Sequence, residues 1–548
     1  MQKYLFILSS IYILLGCCSK SYSQAFTSSN LPIIVINTNG QNLDAAWLYE
    51  TVSMGVIYNG PGIRNNVTDP HNNFNGNISI KIEGSSTVIF PKKSFRITTL
   101  NAFNLGTNVS LLGMPPHEDW VFKALYQDKS FLRDDLAFKL FNQMGHYSSR
   151  SQFFELVVDG DYRGVYQLEE KIKRDKNRVN ISKLTPFDTF GDDLTGGYII
   201  SLDKFTPGDP GWYSKYKSTI NDDSANYFLY YYPKPDSMVQ IQKDYIKNYV
   251  DKFEDVLVGS GFKNPVSGYR KYIDVPSFID NFIINELSRN IDGYRASTFF
   301  YKDKDSSPNG KLHAAPIWDF NLAWGNASYN GGNDPFWWQY LANTTVNFVP
   351  FWWYRLMQDS TFKNELKCRY VYLRSNTLNE NILDQYIDGM VNYLNESQQR
   401  NFIRWPILNQ VIYPNPTPVP GSYSGEISNL KSWVHNRLNW LDSSIPGQGP
   451  CSIVNITENK VYENQIGLFP NPFSNGFNLT YKLNKNTSVK IELINMLGER
   501  VLQAFEGNKN EGDYSESINT LQLSSGSYFL KLSLDDLVFH KKIIKLAE

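Results

Sequence analysis

The hydrophobic rhythm of the chain changes twice, and that limits the folds open to it. From residue 31 to about 202, apolar residues alternate with polar ones, as in "LPIIVINTNG" (31–40), "GNISIKIEG" (76–84) and "SFRITTL" (94–100). This period of two is that of half-buried strands. From 240 to 445 the spacing turns helical, over 241–260, 276–290, 350–400 and 426–445. After a linker-like stretch, "PGQGPCSIVNITENKVYENQ", period two returns in short runs separated by Asn and Gly turns. Strands and helices are thus segregated rather than alternating, which predicts an α+β architecture. The last block predicts a small antiparallel β-sandwich. At 548 residues the chain is longer than one core usually organises.

Three local readings refine the first part. "DKSFLRDDLAFKLFNQMG" (128–145) predicts an amphipathic helix ending at Gly145. "FFELVVDGDYRGVYQLEEKI" predicts a hairpin turning at "VDGDY". "STFFYKD" and "KLHAAPIWDF" predict a strand pair between the two halves. Trp120, Phe122, Leu125, Phe131 and Leu132 are read as core, with an Asp128–Arg133 ion pair fixing the helix. Trp337, Trp338, Trp352 and Trp353 suit core or a cleft wall, although an exposed aromatic patch would also suit a sugar face.

Charge excludes some partners. Lys plus Arg is 53 and Asp plus Glu is 54, for a formal net charge of −1. Nothing global points to nucleic acid or an anionic membrane surface. No later stretch could span a bilayer. The opening "MQKYLFILSSIYILLGCCSKSYSQ" has the pattern of a signal peptide. It predicts cleavage after Ser23 and a chain starting at Gln24; the alternative is a lipobox, "LLGC", that would place lipid on Cys17. Cys368 and Cys451 would then remain, either disulfide-bonded or as two separately buried thiols. With six His and no CxxC, a zinc site is not expected.

The segment "GKLHAAPIWDFNLAWGN" (310–326) sets Asp319 and Asn321 among Trp318, Phe320, Leu322 and Trp324. A carboxylate in such company needs a partner. Upstream, in "NELSRNIDGYRASTFFYKD", Asp292 lies between a helix and a strand. Two loop carboxylates in this order are what phosphoryl transfer needs: one to accept the acceptor hydroxyl's proton, one to hold magnesium. Buried Asp residues also cap turns. "IEGSSTVIFPKKSFRI" (82–97) puts Gly84, Ser85 and Ser86 in a small-residue turn whose amides could approach phosphate. Lys93 follows on or near a strand, and Glu170 in "EEK" could pair with it. The same lysines would equally suit a solvated edge strand.

Taken together, these segments resemble the CotH (spore coat protein H) family of kinase-like proteins. They do so with "LLGMPPHEDWVFKALYQDKSFLRDDLAF" (111–138), "ELVVDGDYRGVYQLEEKIKRDKNRVNI" (155–181), "GGYIISLDK" (196–204), "INELSRNIDGYRASTFFYKDKD" (284–305) and "PIWDFNLAWGN" (316–326). The resemblance implies an atypical two-lobed protein-kinase-like domain, with a β-rich N-lobe and a helical C-lobe, that binds ATP and Mg2+ between lobes and phosphorylates Ser-rich protein acceptors. It implies Asp292 as the catalytic Asp, Asp319 as the metal-binding Asp with Asn321 beside it, and Lys93 and Glu170 as the phosphate clamp behind the Gly84–Ser86 turn. Two positions depart from the family pattern: Glu83 stands where Arg is common, and Trp324 replaces the commoner Phe; Ser297 stands where protein kinases place a metal-binding Asn. Glu83 and Ser297 favour the alternative of a catalytically weak surface module for adhesion or for binding carbohydrate or protein.

The last block resembles the C-terminal sorting domain of type IX secretion cargo, through "FPNPF" (469–473), "INMLGERV" (494–501), "LSSGSYFLKL" (523–532) and "KKIIKL" (541–546). This implies the type IX machinery as a partner and export to the cell surface or medium. The expected organisation is a signal peptide at 1–23, the kinase-like domain at 24–448, a linker at 449–465 and the sorting domain at 466–548.

Overall fold

The computed structural model describes residues 26–448 except 205, 207, 218–224 and 343–347, then 451, and 466–546 except 484–485, 496–499 and 536. The expected signal segment, its cleavage point and Cys17 lie outside the described residues, as does most of the expected linker. Two compact units emerge, one reaching Gly447 and one starting at Gln448. Both Cys368 and Cys451 are disulfide-bonded.

The first unit begins with seven strands: β1 (Ile33–Asn37), β2 (Glu50–Ile57), β3 (Phe74–Glu83), β4 (Ser94–Thr99), β5 (Asp119–Lys123), β6 (Ser151–Val158) and β7 (Asp161–Glu170). They close into a barrel in the order β1-β2-β3-β4-β5-β7-β6, in which β6 lies parallel to β1. Alternation explains the closure. Ile34, Ile36, Val52, Met54, Ile78, Ile80, Phe95, Ile97, Trp120, Phe122, Phe154 and Leu168 all point into one buried cluster. Their strand neighbours must therefore face outward. The expected hairpin turns at Asp159 and Gly160, both at positive φ, which matches the right-handed twist of the flanking strands.

A second sheet packs beside the barrel. It comprises β8 (Tyr198–Leu202), β9 (Gly211–Lys217), β10 (Ala225–Tyr232), β11 (Thr298–Lys302) and β12 (Leu312–His313), in the order β9-β10-β8-β11-β12. The expected strand "KLHAAPIWDF" is therefore mostly not strand: pairing stops at His313, and 314–319 runs as an irregular segment that leads to Asp319.

Eight helices of six residues or more are among the described residues: α1 (Arg133–Gln143), α2 (Gln240–Val258), α3 (Val275–Ser288), α4 (Phe351–Leu356), α5 (Ser360–Arg374), α6 (Glu380–Tyr393), α7 (Asn395–Arg404) and α8 (Tyr423–Ser444). Helix α3 is buried along its length except at Pro276, so it serves as the central post of this half. Trp352 and Trp353 are fully buried against it, which settles them as core, while Trp337 is exposed. The helix expected over 128–145 starts later, at Arg133. Residues 128–132 instead form a turn in which Asp128 accepts hydrogen bonds from the Ser130 and Arg133 backbone N–H groups and pairs with the Arg133 guanidinium. Among the described residues no helix is long and apolar enough to cross a membrane.

The second unit is all-β: β13 (Gly467–Phe469), β14 (Gly476–Leu483), β15 (Thr487–Ile494), β16 (Arg500–Lys509), β17 (Gly512–Asn519), β18 (Gly526–Leu534) and β19 (Leu537–Lys545). A three-stranded sheet, β13-β14-β17, and a four-stranded sheet, β16-β15-β18-β19, share one core built from Phe477, Leu479, Ile491, Leu530 and Leu532. The chain is a mixed α+β protein with a β-rich C-terminal part.

Candidate active site

Asp319 lies where three elements meet. Asp134, in the first turn of α1, accepts a hydrogen bond from the Phe320 N–H. The Trp324 indole donates to the Arg133 carbonyl at 3.1 Å, and its backbone N–H to the Ser288 carbonyl at the end of α3 at 2.7 Å. Asp319 itself has φ +65°, and Tyr294, Ser297 and Trp324 are also left-handed. Such conformations cost free energy in non-glycine residues, and their concentration in these two loops marks the region as built for something other than stability.

The partner of Asp319 is Lys123. Its Nζ donates to Asp319 Oδ1 at 2.6 Å and stands 4.0 Å from Asp134 Oδ2. Lys123 is at the end of β5. Because Trp120 and Phe122 fill the barrel, Val121 and Lys123 face outward. On the neighbouring β7, Gln167 is opposite Lys123 and Glu169 is opposite Val121. Glu169 is fully buried, and neither of its carboxylate oxygens has a hydrogen-bond partner; Asp134 Oδ2 has none either. One lysine thus serves three carboxylates. Burial drives the Glu169 pKa well above the ordinary range and that of Asp134 up to about 6; the Lys123 charge opposes both shifts, and the neighbouring carboxylates reinforce them. Burial disfavours the Lys123 ammonium, but the charges of Asp319, Asp134 and Glu169 outweigh it and raise its pKa.

Asp292 follows α3 and accepts from Arg295 Nη2 at 3.1 Å. Burial raises its pKa, Arg295 pulls it down, and the Asp319 charge raises it again. Asp203, at the end of β8, responds in the same way: burial raises it, the Lys204 and Ser297 N–H groups lower it, and Asp319 raises it. Asp203, Asp292 and Asp319 are therefore electrostatic neighbours.

Asp203, Ser297 and Trp318 line a cleft of about 760 Å³ between the barrel and the second sheet. Its barrel wall carries Arg96, Lys171, Lys173 and Arg174, and its sheet wall carries Tyr231 and Phe299. Glu83 is in the cleft as well and pairs with Arg96 at 2.6 Å. The departure from Arg at position 83 is thus neutralised within the cleft.

The expected phosphate clamp does not assemble. Lys93 donates to the Val88 carbonyl at 2.5 Å. Glu170 is held by Arg150 at 2.8 Å, by the Arg150 backbone N–H at 3.1 Å and by Tyr147. Among the described residues no ion pair joins Lys93 to Glu170. The cause is the strand period: Glu169 and Glu170 leave opposite faces of β7, and it is Glu169 that faces the Lys123 side. Nor do Gly84, Ser85 and Ser86 form one tight turn. Gly84 takes φ +118°, and a 3-10 turn over Ser86–Ile89 follows. That loop still overlies Lys123: Thr87 and Phe90 share a small cavity with Lys123 and Asn321. The Asn321 backbone carbonyl accepts from the Asn326 amide at 2.7 Å.

The residues that sequence reasoning missed are Lys123, Asp134, Glu169 and Asp203. All four lie within the quoted segments, but the barrel register is needed to place Lys123 and Glu169, the start of α1 to place Asp134, and the β8–β11 pairing to place Asp203.

Fit to a magnesium-bound triphosphate can be judged from these groups. A cationic wall suits phosphate oxygens. Among the described residues no three His, Cys or carboxylate groups form a ready-made metal cage. Magnesium does not need one, since it is commonly held by one or two carboxylates together with phosphates and water. The unpartnered buried oxygens of Glu169 and Asp134 show a site with acceptor oxygens to spare. The residues present therefore fit.

Comparison with known proteins agrees with the sequence. The secretion system C-terminal sorting domain profile matches residues 467–546. Among curated proteins, none matches the chain. The profile of the CotH kinase protein family matches residues 80–441, well over half of the chain, and the protein is a member of that family.

Proposed function

We propose that the protein is a secreted or surface-attached phosphotransferase that moves phosphate from ATP to a Ser or Thr hydroxyl of a protein acceptor with Mg2+, and that the type IX machinery exports it. In this reading the barrel is the N-lobe of a kinase-like pair, and the second sheet and helices are the C-lobe. The observation that carries the reading is that Asp292 and Asp319, on two loops with left-handed residues, are electrostatic neighbours of each other, and that Asp319 is also one of Asp203, which lines a cation-walled cleft together with Ser297 and Trp318. The sorting-domain match supports export.

Asp292 accepts the proton of the attacking hydroxyl; Arg295 orients its carboxylate, and burial keeps it basic enough for the task. Asp319, with Asn321 two residues on, would hold the metal. Lys123 and Glu169 take the clamp role that spacing alone assigned to Lys93 and Glu170. Arg96 would meet the phosphates. Bound Mg2+ supplies the charge that neutralises the phosphate oxygens at the transferred group.

The test pairs binding with transfer. Mg2+-ATP should raise the melting temperature of wild type and of Asp292→Asn alike. Only wild type should pass labelled phosphate to a Ser-rich acceptor. Absence of any Mg2+-ATP shift in wild type would refute the reading. The Glu83–Arg96 pair within the cleft favours a second reading, a binding module without transferase activity. Binding without transfer in wild type would select it.

A further inference from the structure

The cleft carries more cations than a triphosphate needs, for Arg96, Lys171, Lys173, Arg174, Lys183 and Lys234 all line it. On the barrel wall, Gln167 is opposite Lys123, the partner of Asp319. Lys171 comes four residues later, about 13 Å along the strand direction. On the sheet wall, Asp203 marks the reacting end. Ile199, four residues back and again about 13 Å away, pairs with Tyr232. Lys234 follows two residues beyond Tyr232 and faces the cleft, as does Lys183.

Among the described residues no hydrogen bond or ion pair holds the Lys171, Lys183 or Lys234 side chain. A half-buried lysine with no partner beside further cations is costly unless an anion joins it. Burial and the Arg96 and Lys173 charges lower the Lys171 pKa to about 7, so Lys171 is the one among them most in need of an anion. A nucleotide with its last phosphate at Asp319 would set its neutral base among these cations. A phosphate chain would set anions along the whole row.

We propose that the cleft takes linear inorganic polyphosphate as a phosphate donor alongside nucleotide, with Lys171, Lys183 and Lys234 as the distal subsite. The proposal rests on the phosphotransfer reading above. In the step, the acceptor hydroxyl oxygen bonds to the terminal phosphorus, and the bridging P–O bond breaks. The chain, shortened by one phosphate, leaves with the electron pair, and the hydroxyl proton passes to Asp292.

The test is displacement of a fluorescent ATP analogue from the full chain in Mg2+, with tripolyphosphate and with medium- and long-chain polyphosphate. Lys183 and Lys234 are exposed, so Lys183→Met with Lys234→Met should fold. In wild type the apparent Kd should fall by about ten-fold or more from tripolyphosphate to long chains, a difference of about 1.4 kcal/mol. In the double variant this length dependence should vanish while tripolyphosphate binds as before. Equal affinity for short and long chains would overturn the proposal. So would a length dependence that survives in the double variant, which would mean adventitious polyanion binding elsewhere. In either case analogue binding would leave the phosphotransfer reading standing. Failure of the analogue to bind wild type at all would refute both.

Discussion

Asp134→Asn should make the ligand-free protein more stable at neutral pH. Asp134 is fully buried; one oxygen accepts from the Phe320 N–H and the other has no hydrogen-bond partner. Its pKa rises from an ordinary 3.8 to about 6, first through burial and then through Asp319, against the pull of Lys123. A folded-state pKa above the unfolded one stabilises the fold below pH 3.8, and that contribution is lost as pH rises through 6. The shift is about 2.2 units, which at 1.36 kcal/mol per unit makes about 3 kcal/mol. The amide keeps the acceptor for Phe320 but carries no charge to desolvate. Urea unfolding should therefore show wild type losing stability between pH 4 and 7 relative to the variant, with a gap approaching 3 kcal/mol at pH 7 and near zero at pH 4. A variant less stable at every pH, or a gap that does not change with pH, would refute the reasoning and show that the Lys123–Asp134 attraction dominates.

Other outcomes follow from the site. Asp319→Asn should abolish the extra thermal stabilisation that Mg2+ adds to ATP while leaving the ligand-free fold nearly intact; unfolding of this variant would make Asp319 a structural residue. Binding of a phosphate ligand at pH 8 should take up a proton at Lys171, because an anion raises a pKa that starts near 7; affinity should fall as pH rises above 7, and heats that do not change between buffers of different ionisation enthalpy would contradict this. Protein recovered from medium or cell surface should begin near Gln24 and end near residue 465 by intact mass; a lipid-modified Cys17 or a retained C-terminus would each contradict one half.

Much of the architecture was legible because the period of the hydrophobic pattern changes where the architecture changes. Asp319 stands out in the sequence as a carboxylate among Trp and Phe, and Asp292 as a loop carboxylate between a helix and a strand. Lys123 was not, because "DWVFK" reads as an ordinary strand end, and only closure of the barrel fixes Trp120 and Phe122 inside and turns Lys123 toward Asp319. Glu169 and Glu170 are adjacent, and a strand sends one to each side; no pattern in "YQLEEK" says which side meets Lys123 and Asp319. Asp203 needed the β8–β11 pairing to bring it beside Ser297. The 314–319 segment was misread because its apolar run suits a strand, yet it packs as an irregular lead into the loop.

The closure of the barrel also dictates an order of events. Strand β1 finds one neighbour at once, in β2, but its other neighbour is β6, so that Ile33 waits for Glu155. A chain emerging across a membrane from its N-terminus would carry an open, hydrophobic sheet edge through more than a hundred residues of synthesis or transport. The loops that carry Asp292 and Asp319 come later still. Until β6 and β7 arrive, that edge is open to pairing with other chains, so this stretch of the chain is the part most exposed to aggregation before the barrel closes.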